Sequence, residues 1–497
     1  MGHDGQDSLV REQGSVVRET HISVLLLLGD RVLKFRKPLR FDFLDLTSLS
    51  AREEDCRREV DLNSRLAPDV YIGVADVSAR GQVVDHAVLM RRLPADRSLA
   101  ELVRRPEAIW GPEVAKVSSV LERFHARAQR SDAISAHATA GAVRDAFDGN
   151  VKEMRRFVGT VLDQDTLDRV VEAVHRYLKG RSRLFESRID SGHICDGHGD
   201  LQASDIYCLA DGPRILDCLQ FDDALRCVDV VADLAFLAMD LDRLGSRGAA
   251  ELLVDRYEQF AGEVIPRSLL DLYIALRAQV RTKVACIRHE QGSAESATEA
   301  AQLLLLALAH LERAEVRLVL VGGLPGTGKS TIAERLATAI GAEVIRSDEI
   351  RRATPGARYA PTPGYLEGRY SPETTRRVYS ELLRRAAGRL SVGQSVVLDA
   401  SWIDATQRRA AEDLAEAATA HLTELHCVAP WPVAERRIRD RLARGDDISE
   451  ATVAVARAMA LAEPEWLSAV AVDTSKDPEE SLADALASLS GSALDRT

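Results

Sequence analysis

Residues 316–331 read VRLVLVGGLPGTGKST, a short apolar run that breaks into a glycine-rich turn and ends in Lys-Ser-Thr. The run fits a buried strand and the residues after it fit a helix, so the turn joins a strand to a helix N-terminus. Gly323, Gly328, Lys329 and Ser330 match the spacing G-x-x-x-x-G-K-[ST]. A loop of Gly323, Leu324, Pro325, Gly326, Thr327 and Gly328 can turn its backbone N–H groups into one concavity, where they meet phosphate oxygens at the helix start. Lys329 adds a compact positive charge, and Ser330, followed by Thr331, supplies a hydroxyl able to ligate Mg²⁺. A nucleoside triphosphate is the implied ligand, with ATP and Mg²⁺ as the expected cofactors.

Beyond Pro325 the chain alternates strand and helix patterns, the signature of a parallel sheet with crossover helices. Strands are expected at 316–321, 343–346, 395–399, 424–428 and 469–473. RSDEIRR (Arg346 to Arg352) sets Asp348 and Arg351 just past a strand's carboxyl end, where open α/β sheets bind ligands. A carboxylate there can take the proton of an attacking hydroxyl, and an arginine can hold a substrate anion. The other reading of Asp348 is a helix cap. Asp399 ends the strand SVVLD and suits a metal-orienting carboxylate, with a purely structural role as the alternative. Arg437, Arg441 and Arg444 fall at i, i+4 and i+7 of one helix. They fit a lid that closes over phosphate, or a solvated basic face. The Pro/Gly/Tyr-rich segment 353–371 fits a loop that covers substrate.

With 497 residues the chain is too long for one core. A formal net charge of −12 argues against a protein that coats nucleic acid, while leaving room for a local basic site. Seven cysteines without C-x-x-C spacing fit reduced thiols rather than a disulfide framework or a zinc site. The first residues lack signal-peptide order and no apolar run could span a bilayer, so a cytoplasmic protein without membrane contact is expected.

The N-terminal part carries a second pattern. Residues 20–36 read as two strands joined at Gly29-Asp30, residues 48–66 as a helix, and 80–93 as a further strand pair around Gly81. From 96 to about 190 the spacing is helical; two short strands follow near 205–208 and 213–217, and helices resume from about 229 to 313. The polar segment Gln291 to Glu299 reads as a loop. Within this frame lie DGHGDLQASDIY (Asp196 to Tyr207) and RILDCLQFDD (Arg214 to Asp223), with RVLKF upstream placing Lys34 on a strand and CRREVDLNSRL placing Glu59 on a helix.

His198-Gly199-Asp200-Leu201 resembles the H-G-D-L loop of aminoglycoside and choline phosphotransferases, relatives of protein kinases. That resemblance implies Asp200 as the base on the substrate hydroxyl and Asp217 as a metal ligand. It also implies Lys34 on the α/β-phosphates, with Glu59 as its ion-pair partner. Asp205 stands where the family has a metal-binding Asn, and no G-x-G-x-x-G precedes it. His198 is expected to be a structural member of the loop; His21 has no assigned role. The C-terminal motifs resemble the P-loop kinases that include zeta-toxin-like, polynucleotide and chloramphenicol kinases. They imply Asp348 as base, Lys329 and Ser330 as nucleotide and metal contacts, Asp399 as a metal carboxylate, and Arg437 and Arg441 as charge stabilisers.

The whole chain therefore resembles proteins joining an aminoglycoside-phosphotransferase-like domain to a P-loop kinase domain, α+β followed by α/β. Expected boundaries are 1–313, with lobes at about 15–95 and 96–313, and 314–497. The expected activity is Mg·ATP-dependent phosphotransfer to a small hydroxyl-bearing substrate from two sites. Two alternatives stay open: a single P-loop kinase regulated by an N-terminal pseudokinase, and a polynucleotide 5′-hydroxyl kinase. Neither substrate nor oligomeric state follows from the sequence.

Overall fold

A computed structural model describes residues 16–19, 22–41, 44–353, 366, 370–444, 451–462 and 464–491. His21 and most of the covering segment 353–371 lie outside the described residues. The chain divides into two compact units. One comprises Met1–Val174, Phe185–Ile265 and Leu269–Arg313; the other comprises His175–Leu184, Pro266–Ser268 and Ala314–Thr497.

The first unit opens with an antiparallel sheet whose strands run in the order Val16–Glu19, Ser23–Leu28, Arg31–Arg36, Gln82–Arg91, Tyr71–Ala79. Its apolar face packs Leu27, Val32, Val88 and Met90 against Cys56 of the helix Leu49–Asn63. Ser48 caps that helix by accepting from the Ala51 N–H at 3.1 Å. The helix is unusual in what it buries: Arg52, Asp55, Glu59 and Asn63 lie inside along with Cys56. Arg36 reconciles this with the cost of burying charge, since its guanidinium donates to Asp55, Glu59 and Ser23 together.

The helical remainder of this unit surrounds Val230–Arg243, which is buried from Val230 through Leu241. Two short antiparallel ladders lie beside it, Ile194–Asp196 with Cys227–Asp229 and Ile206–Leu209 with Gly212–Ile215. The segment read as a loop to Glu299 is already helical at Glu295, the start of Glu295–Ala314. An acidic residue in a first turn interacts favourably with the helix N-terminus, so polarity there does not signal irregular chain.

In the second unit five parallel strands run in the order Glu343–Arg346, Val396–Asp399, Arg317–Gly322, His421–Val428, Val470–Asp473. The first strand in sequence is central, and the chain winds to either side of it, which opens a crevice at the strands' carboxyl ends. Val321 pairs with Asp399, and Asp399 with Arg346, so motif residues far apart in sequence share that edge. Val319, Val321, Val397 and Leu425 pack against Ile332, Ala333 and Leu336 of the helix Lys329–Ile340. Among the described residues no helix is long and apolar enough to cross a membrane.

Replacing Arg36 by Met would strand Asp55 and Glu59 without their shared cation. Arg36→Met is therefore expected to lower the stability of the first unit by about 3–5 kcal/mol in urea unfolding. A loss below about 1 kcal/mol would contradict that role.

Candidate functional site

In the second unit the loop after Gly322 folds as its glycines require. Gly323, Gly326 and Gly328 have φ of 136°, 84° and 81°, which L side chains rarely adopt. A Cβ at Gly323 would lie 2.5 Å from the Cys427 carbonyl, and one at Gly326 would lie 2.5 Å from that of Ala434. Gly328 caps the helix that begins at Lys329. The Gly323 N–H donates to Ser401 at 3.3 Å and the Thr327 hydroxyl to Leu324 at 2.8 Å, which ties the loop to the strand end carrying Asp399.

Asp399 is 5% exposed, and its Oδ1 is buried without a hydrogen-bond partner. Burial raises its carboxyl above the usual range; the charge of Lys329 and a hydrogen bond from Ser330 oppose that rise. Arg346 lies 3.8 Å from its other oxygen. An orphaned carboxylate oxygen beside a serine hydroxyl and a phosphate loop suits a hard cation. Asp348 and Arg351 line a cavity of about 340 Å³ together with Lys329. Arg351 stacks over the Tyr370 ring at 4.9 Å.

The three helix arginines separate. Arg437 donates to the Thr474 carbonyl at 2.8 Å and to Gly326 at 3.5 Å, directly against the loop. Arg441 reaches the Ala451 carbonyl at 2.6 Å, and Arg444 stays exposed.

Sequence reading missed the support of this edge. Trp402 holds a left-handed backbone, φ 54°, three residues after Asp399. Its N–H donates to the Tyr379 hydroxyl at 3.0 Å, and its indole N–H to Leu398 at 3.2 Å. Arg408 donates to its carbonyl at 2.7 Å. Trp466 presses on Gly322, where a Cβ would come within 2.3 Å of the ring. The available signal was a tryptophan just after one strand end, Trp402, and another just before a strand start, Trp466.

In the first unit Lys34 Nζ lies 2.9 Å from Glu59 and 2.8 Å from Asp217. Burial works against its charge, and Asp217 and Glu59 outweigh that and raise its pKa. Lys34 in turn holds Asp217 below the usual carboxylate range. Asp217 has φ of 63°, a non-glycine residue in the left-handed region. Burial pushes Asp200 up to about 6, with Asp217 adding to the rise and Arg281 opposing it. Asp205 is also raised, by burial first and then by Asp217 and Asp200. Lys34, Glu59, Asp217, Asp205 and Asp200 thus form one electrostatic group.

His198 organises it. Its Nδ1 accepts from the Asp200 N–H at 3.4 Å, which leaves Nε2 to donate to the Leu216 carbonyl at 3.1 Å. Burial pushes it down to about 4, so the ring is neutral and joins the Asp200 loop to the Asp217 segment. Asp233 accepts from the backbone N–H of His198 at 2.6 Å and of Gly199 at 2.8 Å. Gly197 must be glycine here, because a Cβ would stand 2.3 Å from the Asp233 carboxylate.

These arrangements give a unit with an antiparallel sheet and a lysine–carboxylate cluster, followed by a unit with a parallel sheet and a P-loop. Residues 318–463 match the family model described as an AAA domain. An uncharacterized protein of Mycobacterium tuberculosis is 40% identical over 472 residues, 94% of each chain, and this chain belongs to the same family. The chain is also similar to a solved aminoglycoside 2′-phosphotransferase in complex with GDP (15% identity, 59% of this chain and 90% of that one, TM-score 0.38). A sugar kinase from Janibacter sp. is similar at 21% identity over 37% of this chain and 99% of that one, TM-score 0.28.

Removing the Asp233 side chain would leave two N–H groups of the loop without their acceptor. Asp233→Ala is expected to lower stability by about 3 kcal/mol in urea unfolding. Unchanged stability would show that the loop is held by other means.

Proposed function

We propose that the protein is an Mg·ATP-dependent phosphotransferase acting on small hydroxyl-bearing substrates. Residues 1–313 form one kinase domain and 314–497 a second, P-loop one. The carrying observation is Asp399, a buried carboxylate with an orphaned oxygen, set beside Ser330 and Lys329 at the end of the phosphate loop.

In the P-loop site the backbone from Gly323 to Thr331 cradles the phosphates and Lys329 neutralises them. Ser330 and Asp399 would hold Mg²⁺, which when bound would neutralise negative charge during phosphoryl transfer. Asp348 faces the same cavity as Lys329 and takes the acceptor's hydroxyl proton. Arg351 holds an anionic part of the acceptor. Arg437, fixed against Gly326 and Thr474, stabilises charge on the transferring group, with Arg441 a turn further along the helix.

In the N-terminal site Lys34, positioned by Glu59, contacts the α/β-phosphates. Asp217 and Asp205 would hold the metal, and Asp200 is the base. A second reading has its own observation: Asp217 is tied to Lys34 at 2.8 Å, so this domain would be a pseudokinase that binds ligand and regulates the P-loop site.

Phosphotransfer from ATP across a panel of small alcohols separates the two. Lys329→Ala and Asp200→Ala are each expected to remove one activity by about 10²–10³-fold, and the double variant both. Total loss in Lys329→Ala alone overturns the two-site reading.

The pH profile supplies a further check. A base must be ionised, and Asp200 sits at about 6. In the Lys329→Ala background kcat/KM is expected to be flat above pH 6 and to fall about tenfold per unit below it. A profile flat down to about pH 4.5, roughly one and a half units lower, would remove Asp200 from that role.

A further inference from the structure

We infer that a cavity of about 160 Å³ in the first unit is the acceptor pocket of the Asp200 site, and that it takes a small, largely apolar alcohol that is neutral or anionic rather than a polycation. The inference rests on the phosphotransferase reading of Asp200.

Three elements of the site also build the cavity. Ala232 lines it, and the next residue, Asp233, holds the loop leading to Asp200. Val228 and Asp229 line it from the strand that pairs with Cys195 and Ile194, just upstream of that loop. Arg277 lines it as well, and its charge acts on Asp200.

The walls set the ligand class. Val143, Phe147, Val228, Leu276 and Val280 give an apolar enclosure. An apolar cavity of roughly 150 Å³ accepts a benzene ring, which fixes the scale of the occupant. Asn150 and Gln279 bond to each other at 3.3 Å, and Lys283 donates to Asn150 at 2.7 Å, so the wall amides are engaged.

Asp229 is the only carboxylate on the lining. Both its oxygens are taken by Arg188, at 2.7 and 2.8 Å, and one also caps the following helix at Val231. A polycation binds best beside free carboxylates, and the described lining offers the positive charge of Arg277 instead. Arg277 is braced by the Ala232 carbonyl at 3.4 Å and stacks on Phe236 at 5.2 Å, leaving a fixed positive edge toward the base. In the transfer the acceptor oxygen bonds to the γ-phosphorus as the bond to the ADP oxygen breaks, and the hydroxyl proton passes to Asp200.

Three alcohols of matched shape test this on the full-length protein: mandelate, phenylethanediol and phenylethanolamine, which differ mainly in charge. Calorimetry gives their affinities. Cys227 lines the cavity and is half-buried while the other six cysteines are buried, so its alkylation reports occupancy. Mandelate and the diol are expected to protect Cys227, with mandelate binding at least about tenfold tighter than phenylethanolamine. Arg277→Met should shrink that preference to about twofold. Val143→Phe, which fills the cavity, should weaken all binding by more than about tenfold at an unchanged thermal midpoint. Tightest binding by phenylethanolamine, or no protection by any of the three, overturns the inference. Transfer of phosphate to phenylethanolamine alone overturns it while keeping the kinase reading. Binding of mandelate without transfer in the presence of Mg·ATP keeps the ligand preference and overturns the role given to Asp200.

Discussion

The first unit is organised by one half-buried ammonium. Lys34 is 15% exposed and makes ion pairs of 2.9 Å to Glu59 and 2.8 Å to Asp217. A charge largely withdrawn from water is held by close partners, here Glu59 fully buried and Asp217 at the surface. Those partners come from different places: Glu59 from the helix against the sheet, Asp217 from the segment after Ile215 in the helical part. Arg36, two residues along the same strand, grips Glu59 and Asp55 of the same helix. Strand, helix and the Asp217 segment are therefore positioned by one cluster. His198 carries that order onward to Asp200 through a carbonyl and an N–H.

The second unit reaches a phosphate-binding geometry by other means. Its phosphate loop is shaped by contacts that exclude a Cβ, with Gly323 against Cys427 and Gly326 against Ala434. The donors expected to meet phosphate there are backbone N–H groups, which need no counter-charge when empty. Side-chain charge enters through Lys329 and Asp399, whose charges act on one another, and through Arg437 against the loop. Rigidity there comes from Trp402, whose strained backbone is held by Tyr379, Leu398 and Arg408.

Most of the fold was legible because it follows from short-range pattern. The apolar runs ending at Gly322 and Asp399, the turn at Gly29-Asp30 and the glycine spacing all act within a few residues. The Lys34–Glu59 pair was reachable through the resemblance. What stayed hidden depends on partners far away in sequence. The helix Leu49–Asn63 looks like a solvated charged helix, and only Arg36 and Lys34 make its charged face an inward one. Asp233 reads as one more acidic residue in a helix until it is seen to accept from His198 and Gly199, with His125 at 3.4 Å on the same carboxylate. Of the three arginines given one task by helical spacing, Arg437 meets the phosphate loop while Arg444 stays exposed, because spacing fixes a face and not what lies opposite it.

The carboxylates lead one step further. Among the described residues no group of three or more His, Cys, Asp or Glu side chains is placed to hold a metal ion by itself. Asp399 and Asp205 are both raised by burial, so each is held in a setting that disfavours its own charge. On the proposed reading this follows from how Mg²⁺ is bound beside phosphates, where one or two protein ligands suffice because nucleotide and water oxygens complete the shell. A denser carboxylate cage would bind a cation without nucleotide and would face the triphosphate with excess negative charge. Sparse, partly neutralised carboxylates instead make cation affinity conditional on the nucleotide. Asp205 bears on the same balance, since a carboxylate in place of the resembling family's Asn adds negative charge only when ionised. Its proximity to Asp200 and Asp217 works against that ionisation, which brings the site closer to the charge an asparagine would give.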